Sequence, residues 1–131
     1  MSNKISVIIP AYNIEGFLAS TLDSVISQTY NDLEIIVVND GSSDATADVI
    51  NTYAQKDSRI HAIHKENGGV TSARLRGVAE ATGDYIGFVD GDDYIEPQMY
   101  EHLIANLKKY DADISHCGYR DGIPKPCGLL L

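Results

Sequence analysis

The chain has 131 residues, of which 44% are hydrophobic and 22% charged, so we expect one globular domain with a hydrophobic core. Lys and Arg number 10 against 19 Asp and Glu, giving a formal net charge of -9. Such an acidic chain is poorly suited to a phosphate backbone, so no nucleic acid is expected as a partner. A small anionic ligand is not excluded if a metal ion or a local Arg supplies positive charge.

The spacing of the two cysteines, Cys117 and Cys127, fits neither a metal site nor a CxxC motif. This cysteine usage indicates a reducing compartment. The start of the chain, MSNKISVIIPAYN, does not resemble a signal peptide, and no apolar run reaches the length of a membrane span. We therefore expect a cytoplasmic protein without a membrane span, and leave open peripheral membrane attachment of a longer protein.

Apolar runs rich in β-branched residues alternate with segments of helical periodicity. The runs predict strands at ISVIIP (5–10), EIIVVN (34–39), RIHAIH (59–64), YIGFV (85–89) and ADISHCGY (112–119). Residues 120–131 carry Pro and Gly and are predicted to be irregular. This alternation predicts an α/β fold with a Rossmann-like, mostly parallel sheet flanked by helices on both faces.

Four helices are predicted between and after these strands. Their expected inner faces are Ile14, Phe17, Leu18, Leu22, Val25 and Ile26; Val49, Ile50, Tyr53 and Ala54; Ala73, Gly77, Val78 and Ala81; and Met99, Tyr100, Leu103, Ile104 and Leu107. Ser42 or Ser43 is the expected cap of the second helix, Gly83 the stop of the third and Pro97 the start of the fourth. The small residues of the third helix predict close packing against the sheet.

In parallel sheets, ligands bind at the carboxyl ends of the strands. The loops expected at that edge are AYN, NDGSSD, ENGG and DGDD. Asp40 can accept a hydrogen bond from a ring N–H of a ligand, and Tyr12 with Asn13 can stack on and bond to a base, although both segments also suit ordinary loops. Arg74 can point into this edge or form a surface salt bridge, whereas Arg76 is expected to face solvent.

The DGDD segment (90–93) directly follows the predicted fourth strand. A polar turn needs one Asp or Asn, whereas three carboxylates within four positions repel one another unless a cation lies between them. Mg²⁺ sites typically use one or two carboxylates together with substrate phosphates, and Mn²⁺ prefers similar oxygen ligands. Tyr94 and Ile95 stand where a calcium EF-hand loop needs a ligand and a Gly. The metal hypothesis is therefore favoured over the plain turn.

Other chemistry finds little support in the sequence. His61, His64, His102 and His116 show no metal-ligand spacing and are predicted to be structural or exposed. No P-loop and no GxGxxG motif is present, which argues against ATPase and dinucleotide-binding functions.

Four motifs in the order VIIPAYN, EIIVVNDGSSD, ENGGVTSARLRG and GDYIGFVDGDD, over about residues 4–119, resemble the nucleotide-binding half of family 2 glycosyltransferases of the GT-A fold. The resemblance implies a single donor-binding domain over residues 1–131. It also implies transfer of a sugar from a nucleoside diphosphate donor, usually a UDP-sugar, to a saccharide or glycolipid acceptor with inversion at the anomeric carbon.

The resemblance further implies roles for individual residues. Ala11 and Tyr12 are expected to line the nucleotide pocket, Asp40 to contact the base and Arg74 to serve the nucleotide. Asp90 and Asp92 are expected to form the DxD pair of the metal site, with Asp90 near the ribose and Asp92 on the Mn²⁺ or Mg²⁺ ion that bridges the diphosphate.

One departure from the family pattern concerns the general base. Family members carry a further C-terminal portion with the acceptor site and a carboxylate that deprotonates the attacking hydroxyl. We expect that base beyond Leu131, in a longer protein, and expect this chain to bind the donor with little turnover and to self-associate through exposed apolar surface. Two alternatives stay open: a metal-dependent phosphohydrolase or phosphotransferase with an aspartyl nucleophile, and a non-catalytic nucleotide-binding or partner-interaction module.

Overall fold

The computed structural model describes residues 3–110 with their side chains, and residues 115–116 and 129–130 as backbone. Strands and helices alternate over most of this length. The elements are β1 (Ile5–Ala11), α1 (Leu18–Ile26), β2 (Leu33–Asp40), α2 (Thr46–Lys56), β3 (Ile60–Lys65), α3 (Val70–Glu80), β4 (Tyr85–Phe88), α4 (Met99–Tyr110), β5 (Ser115–His116) and β6 (Leu129–Leu130).

The strands form one sheet in the order β3-β2-β1-β4-β6-β5. The first four are parallel, while β6 runs antiparallel to β4 and β5 antiparallel to β6. The predicted α/β architecture with a mostly parallel sheet is confirmed. The order reverses between β1 and β4, and this reversal is where parallel sheets open a crevice for ligands.

Two predictions at the end of the chain need correction. Leu129 and Leu130 lie in the segment predicted to be irregular, yet they form β6, which satisfies backbone groups on the outer edge of β4. A two-residue strand is too short for sequence periodicity to reveal. Of the predicted strand 112–119, only Ser115 and His116 are described as a strand, and the remaining positions lie outside the described residues.

Side chains alternate between the two faces of the sheet because successive residues of a strand point in opposite directions. On one face, Ile5, Val7 and Ile9 of β1 pack in a cluster with residues of α1, α2 and α4. On the other face, Ile8 packs with Ala73 of α3. Helices therefore cover both faces, and most of the buried strand residues are apolar on both sides.

The predicted inner faces are correct except at two positions. Phe17 is 62% exposed because it precedes the first residue of α1. Val78 is 37% exposed, since the buried face of α3 is centred on Ala73 and Gly77 and Val78 lies one residue further around the helix. The expected close packing of α3 is confirmed, because a Cβ atom on Gly77 would lie 2.5 Å from Ile8 Cγ2.

The helix boundaries also differ in detail. Neither Ser42 nor Ser43 caps α2; the Thr46 N–H donates instead to Asp44 Oδ1 at 2.9 Å, and Ser42 serves another loop. The third helix ends at Glu80, three residues before Gly83, so Gly83 is not the residue that ends the helix. A Cβ on Gly83 would lie 2.6 Å from Ser6 Oγ, so this glycine allows the chain to pass close to β1. Pro97 precedes the first residue of α4 by two positions.

Within the described part of the chain, the helices are too short or too polar to cross a membrane.

The contact between α3 and β1 predicts a packing defect in Gly77→Ala. The added methyl group forces Ile8 or the helix to move, and such overpacking costs about 1–3 kcal/mol of unfolding free energy. Urea denaturation should show this loss. Gly16→Ala is the matched control, since a Cβ there meets nothing within 4 Å. Equal stability of the two variants would contradict the close approach.

Candidate functional site

Parallel register brings the carboxyl ends of β1, β2, β3 and β4 to one edge of the sheet. Ala11 at the end of β1 is in register with Asn39, and Asp40 at the end of β2 with Lys65. The loops predicted to meet at this edge do so. The site is therefore built from residues that are distant in sequence and fixed by the ladder of the sheet.

A cleft of about 310 Å³ opens at this edge. It is lined by Pro10, Ala11, Tyr12, Asp40, Asn67, Gly69, Val70 and Ala73. Three residues assigned to nucleotide binding, Ala11, Tyr12 and Asp40, thus share one cleft. Tyr12 is 50% exposed, so its ring is available to a ligand at the surface. A ring at the mouth of an apolar cleft suits stacking on a planar group.

Asp40 is 3% exposed and yet has partners for both carboxylate oxygens. Lys65 Nζ and the Gly68 N–H donate to Oδ1, and the Gly69 N–H donates to Oδ2, each at 2.9 Å. Burial alone would raise the pKa of Asp40, but these hydrogen bonds and the Lys65 charge outweigh it, so that the pKa lies below its ordinary value. The carboxylate is therefore ionised at neutral pH.

The ENGG turn is shaped to deliver those two N–H groups. Gly69, the residue before α3, has φ of 95°, a left-handed conformation that side chains rarely adopt. Asn67 Nδ2 donates to the Asp40 carbonyl at 3.0 Å. On the facing loop, Gly41 has φ of 73°, and a Cβ there would lie 2.6 Å from the Asn67 nitrogen. The two glycines thus permit the β2 and β3 loops to touch.

The loop after β1 is tied to the loop after β2 by mutual hydrogen bonds. Asn13, with φ of 50°, donates its N–H to Ser42 Oγ and accepts from the Ser43 N–H at 2.8 Å. The Ile14 N–H donates to Thr46 Oγ1 at 3.0 Å. Of the two roles considered for Asn13, loop residue and partner of a base, these contacts show the first, in which its carboxamide oxygen holds this loop.

Both ring nitrogens of His64 lie within hydrogen-bonding distance of asparagine side chains. His64 Nδ1 lies 3.1 Å from Asn39 Nδ2, and its Nε2 lies 3.0 Å from Asn51 Oδ1. The Asn39 amide is the donor in the first contact because its oxygen accepts from the Ser42 N–H. The structural role predicted for His64 is confirmed, whereas the side chain of His116 lies outside the described residues.

The DGDD segment forms a turn in which the Asp93 N–H donates to the Asp90 carbonyl at 3.0 Å. Gly91 is buried, and a Cβ there would lie 2.3 Å from Ile14 Cδ1. Thr21 Oγ1 of α1 donates to the Gly91 carbonyl at 2.8 Å. The turn is thus anchored at its glycine, which leaves the flanking carboxylates near the surface.

Arg74 joins this turn to α3. Its Nη2 lies 2.9 Å from Asp90 Oδ1, and the side chains are 40% and 50% exposed. Arg74 was expected either to point into the edge where the loops meet or to form a surface salt bridge. It does both, because its ion pair with Asp90 lies at that edge. Its Nε is buried without a partner among the described residues. Arg76 faces solvent as predicted, and its Nε lies 3.5 Å from Glu80 Oε1.

Asp92 is exposed, and the described residues provide it with no positive partner. No group of three or more His, Cys, Asp or Glu side chains in the same part of the chain is arranged to hold a metal ion. A Mg²⁺ or Mn²⁺ ion that takes one or two carboxylates and completes its shell with phosphate and water fits this donor set. A metal site in which protein side chains supply all of the ligands does not fit this donor set.

A second cavity, of about 370 Å³, lies against the same turn. It is lined by Gly16, Phe17, Ser20, Thr21, Asp92, Asp93 and Tyr94. The rings of Phe17 and Tyr94 are 62% and 39% exposed. Asp92 therefore borders a space other than the cleft beside Asp40.

Comparison with known proteins agrees with this geometry. The profile described as "Glycosyl transferase family 2" matches residues 6–126. The chain belongs to this family. The family and fold that the sequence motifs implied are thereby confirmed.

Individual relatives match most of this chain. The uncharacterized glycosyltransferase EpsJ of Bacillus subtilis (strain 168) is 45% identical over 115 residues, 88% of this chain and 33% of EpsJ. The glycosyltransferase GlyA of Streptococcus pneumoniae is 44% identical over 119 residues, 91% of this chain and 17% of GlyA. The chain thus spans at most about a third of these relatives.

Solved structures match the fold in the same region. The crystal structure of S. aureus TarS in complex with UDP superposes with a TM-score of 0.79 at 30% identity, covering 85% of this chain and 34% of that chain. TarS has also been solved in complex with UDP-GlcNAc.

The contacts of Asp40 predict a pH-dependent loss of stability in Asp40→Asn. Removing the charge leaves Lys65 unpaired in a largely buried setting and should cost roughly 3 kcal/mol at pH 7. The folded pKa of Asp40 lies below the unfolded value of 3.8, so its contribution is complete above that value and declines as the pH falls through the folded pKa.

Chemical denaturation of the wild type and Asp40→Asn between pH 7 and acid conditions measures this difference. The two should converge only below about pH 4. Asp48→Asn, on the exposed face of α2, is the control and should differ little from wild type throughout. A difference between wild type and Asp40→Asn that already vanishes near pH 6 would contradict the assignment.

Proposed function

We propose that this chain is the donor-binding part of a glycosyltransferase that transfers a sugar from a nucleoside diphosphate-sugar to a saccharide or glycolipid acceptor. The observation that carries the proposal is the Arg74–Asp90 ion pair. It connects α3, which lines the cleft beside Asp40, to the DGDD turn. One side of this arrangement suits a base and the other a diphosphate. The whole activity belongs to a longer protein, as in the relatives of which this chain spans a third or less.

In this proposal the base lies in the cleft against Tyr12 and Ala11. Asp40 Oδ2 accepts one described hydrogen bond, from Gly69, and an ionised carboxylate oxygen has room for another. A ring N–H, such as that of uracil, complements this acceptor. A base that presents a ring nitrogen lone pair would face it with repulsion. Uracil and guanine both carry a ring N–H, and between them the UDP and UDP-GlcNAc complexes of TarS favour a UDP-sugar.

The diphosphate lies beside Arg74 and the DGDD turn in the same proposal. Asp92, assisted by Asp90, would hold Mn²⁺ or Mg²⁺, and the ion would stabilise the negative charge that builds on the departing diphosphate. Asp90 has Oδ1 engaged by Arg74, which leaves Oδ2 for the ribose or the ion. Groups attached to the diphosphate have space in the second cavity beside Asp92 and Tyr94.

An inverting transfer also needs a base for the acceptor hydroxyl. Asp93 adjoins the proposed metal ligand Asp92, so a bound cation would lower its basicity. We therefore assign the base to a part of the longer protein that this chain does not contain. Self-association remains a proposal of the same kind, based on exposed side chains such as Phe17, Leu75 and Tyr110.

The alternative hypotheses receive less support. An aspartyl nucleophile of a phosphotransferase is expected after the first strand, whereas β1 leads to Tyr12 and Asn13 and the acidic turn follows β4. A purely non-catalytic binding module does not explain the exposed carboxylate of Asp92, which borders the second cavity.

Metal-dependent nucleotide binding is the direct test. UDP with Mn²⁺ at a hundredfold excess over Kd should stabilise the chain by about 2.7 kcal/mol, which corresponds to a rise in Tm of roughly 10 °C. EDTA and Asp92→Asn should each remove most of this rise, because the remaining groups hold the diphosphate poorly. Asp48→Asn is the matched control and should keep it. No shift with UDP, or a shift of the same size with any phosphate compound, would refute donor binding.

Arg74→Ala separates ligand binding from structure. An exposed ion pair contributes about 1 kcal/mol or less, so the unfolding free energy should change little. Affinity for UDP with Mn²⁺ should fall at least tenfold, because hydrogen bonds to charged groups are worth about 1.5–3 kcal/mol. Arg76→Ala, which removes the other exposed cation of α3, is the control for calorimetric titration. Unchanged affinity in Arg74→Ala would limit Arg74 to a surface salt bridge.

A further inference from the structure

Lys65 is a cation that no sequence motif singled out, and its side chain is 16% exposed. It lies at the end of β3, in register with Asp40. Its Nζ donates to Asp40 Oδ1 at 2.9 Å and to the Glu66 carbonyl at 2.6 Å. An ammonium buried with two acceptors is fixed in position, because moving it would leave both acceptors and its own charge without partners.

The hydrogen bonds of Asp40 divide unequally between its two oxygens. Oδ1 accepts from Lys65 and from Gly68, which uses both of its lone pairs. Oδ2 accepts from Gly69 within the described part of the chain and keeps one lone pair. Lys65 thus bonds to Oδ1, the oxygen that has no lone pair left for a ligand. Its positive charge keeps Asp40 ionised, so that Oδ2 stays a hydrogen-bond acceptor.

We propose that Lys65 is a positioning residue that determines which nucleobases the cleft accepts, by holding Asp40 as an oriented acceptor. The inference rests on the donor-binding function proposed above. An acceptor matches a base with a ring N–H, such as uracil. Cytosine presents a lone pair at the corresponding ring nitrogen and is disfavoured. A protonated Asp40 would reverse this preference, since an O–H at Oδ2 could donate to that nitrogen.

Apart from Lys65, no titratable side chain of the described residues forms a hydrogen bond with Asp40. Arg74 pairs with Asp90, and the ring nitrogens of His64 lie against Asn39 and Asn51. Tyr12 lines the cleft, and Glu66 contributes its carbonyl to Lys65. Among the described residues, Lys65 is the cation in contact with Asp40. Without it, burial is opposed by only two backbone N–H groups, and the pKa of Asp40 rises.

The experiment compares UDP with CDP, each with Mg²⁺, by calorimetric titration of wild type and Lys65→Met between pH 5 and pH 8. Wild type should prefer UDP by about tenfold or more at every pH, the size expected for one hydrogen bond to a charged group. In Lys65→Met the UDP:CDP ratio should fall toward unity as the pH decreases. A loss of diphosphate affinity alone weakens both ligands equally and leaves this ratio unchanged.

Lys56→Met is the matched control, since Lys56 is exposed at the far end of α2, beside the Tyr53 ring. It should keep the wild-type ratio at every pH. A Lys65→Met variant that binds UDP and retains a pH-independent preference would overturn the role of Lys65 while leaving donor binding intact. Failure of wild type to bind UDP would instead refute the proposed function on which the inference depends.

A ligand-free measurement keeps the inference testable if Lys65→Met folds poorly. The carboxyl ¹³C resonance of Asp40, followed by NMR in the wild type, should titrate below the ordinary range of aspartate. In any folded fraction of Lys65→Met it should titrate at higher pH. An Asp40 that titrates above pH 5 in the wild type would overturn the inference, because the carboxylate would not then be a fixed acceptor.

Discussion

The buried carboxylate of Asp40 is the interaction on which the ligand edge depends. It receives a charge from the end of β3 and two N–H groups from the turn that leads into α3. The end of β3 and the turn before α3 are thereby fixed to the end of β2. A buried ionised group is stable only when its hydrogen bonds are complete, so the geometry of the ENGG turn and the ionisation of Asp40 support each other.

The fold supplies this arrangement at the crevice beside β1. Reversal of strand order between β1 and β4 separates the loops on either side, and Gly77 lets α3 lie close to Ile8 on the sheet. The close approach of α3 positions Arg74, which reaches the turn after β4. The distance between the cleft and the DGDD turn is thus set by sheet register and by helix packing, both of which belong to the rigid core.

The sequence predicted the elements that depend on hydrophobic periodicity. It did not predict features that depend on a single contact between two residues. Four strands and four helices were found because their apolar positions repeat, and the edge of the site followed from the rules of parallel sheets. The cap at Asp44 and the two-residue β6 were missed, since each depends on local geometry. Lys65 was missed because one lysine at the end of a weak strand carries no pattern. Only register shows that it lies opposite Asp40.

Charge at the site is distributed in a way that distinguishes its carboxylates. Asp40 forms an ion pair with Lys65, and Asp90 forms one with Arg74. Two of the ten Lys and Arg side chains of this acidic chain therefore lie at this edge. Asp92 is exposed, and the described residues give it no such partner. In the proposed function, Asp92 is the carboxylate that a divalent cation would neutralise, and that cation would also favour the approach of an anionic diphosphate.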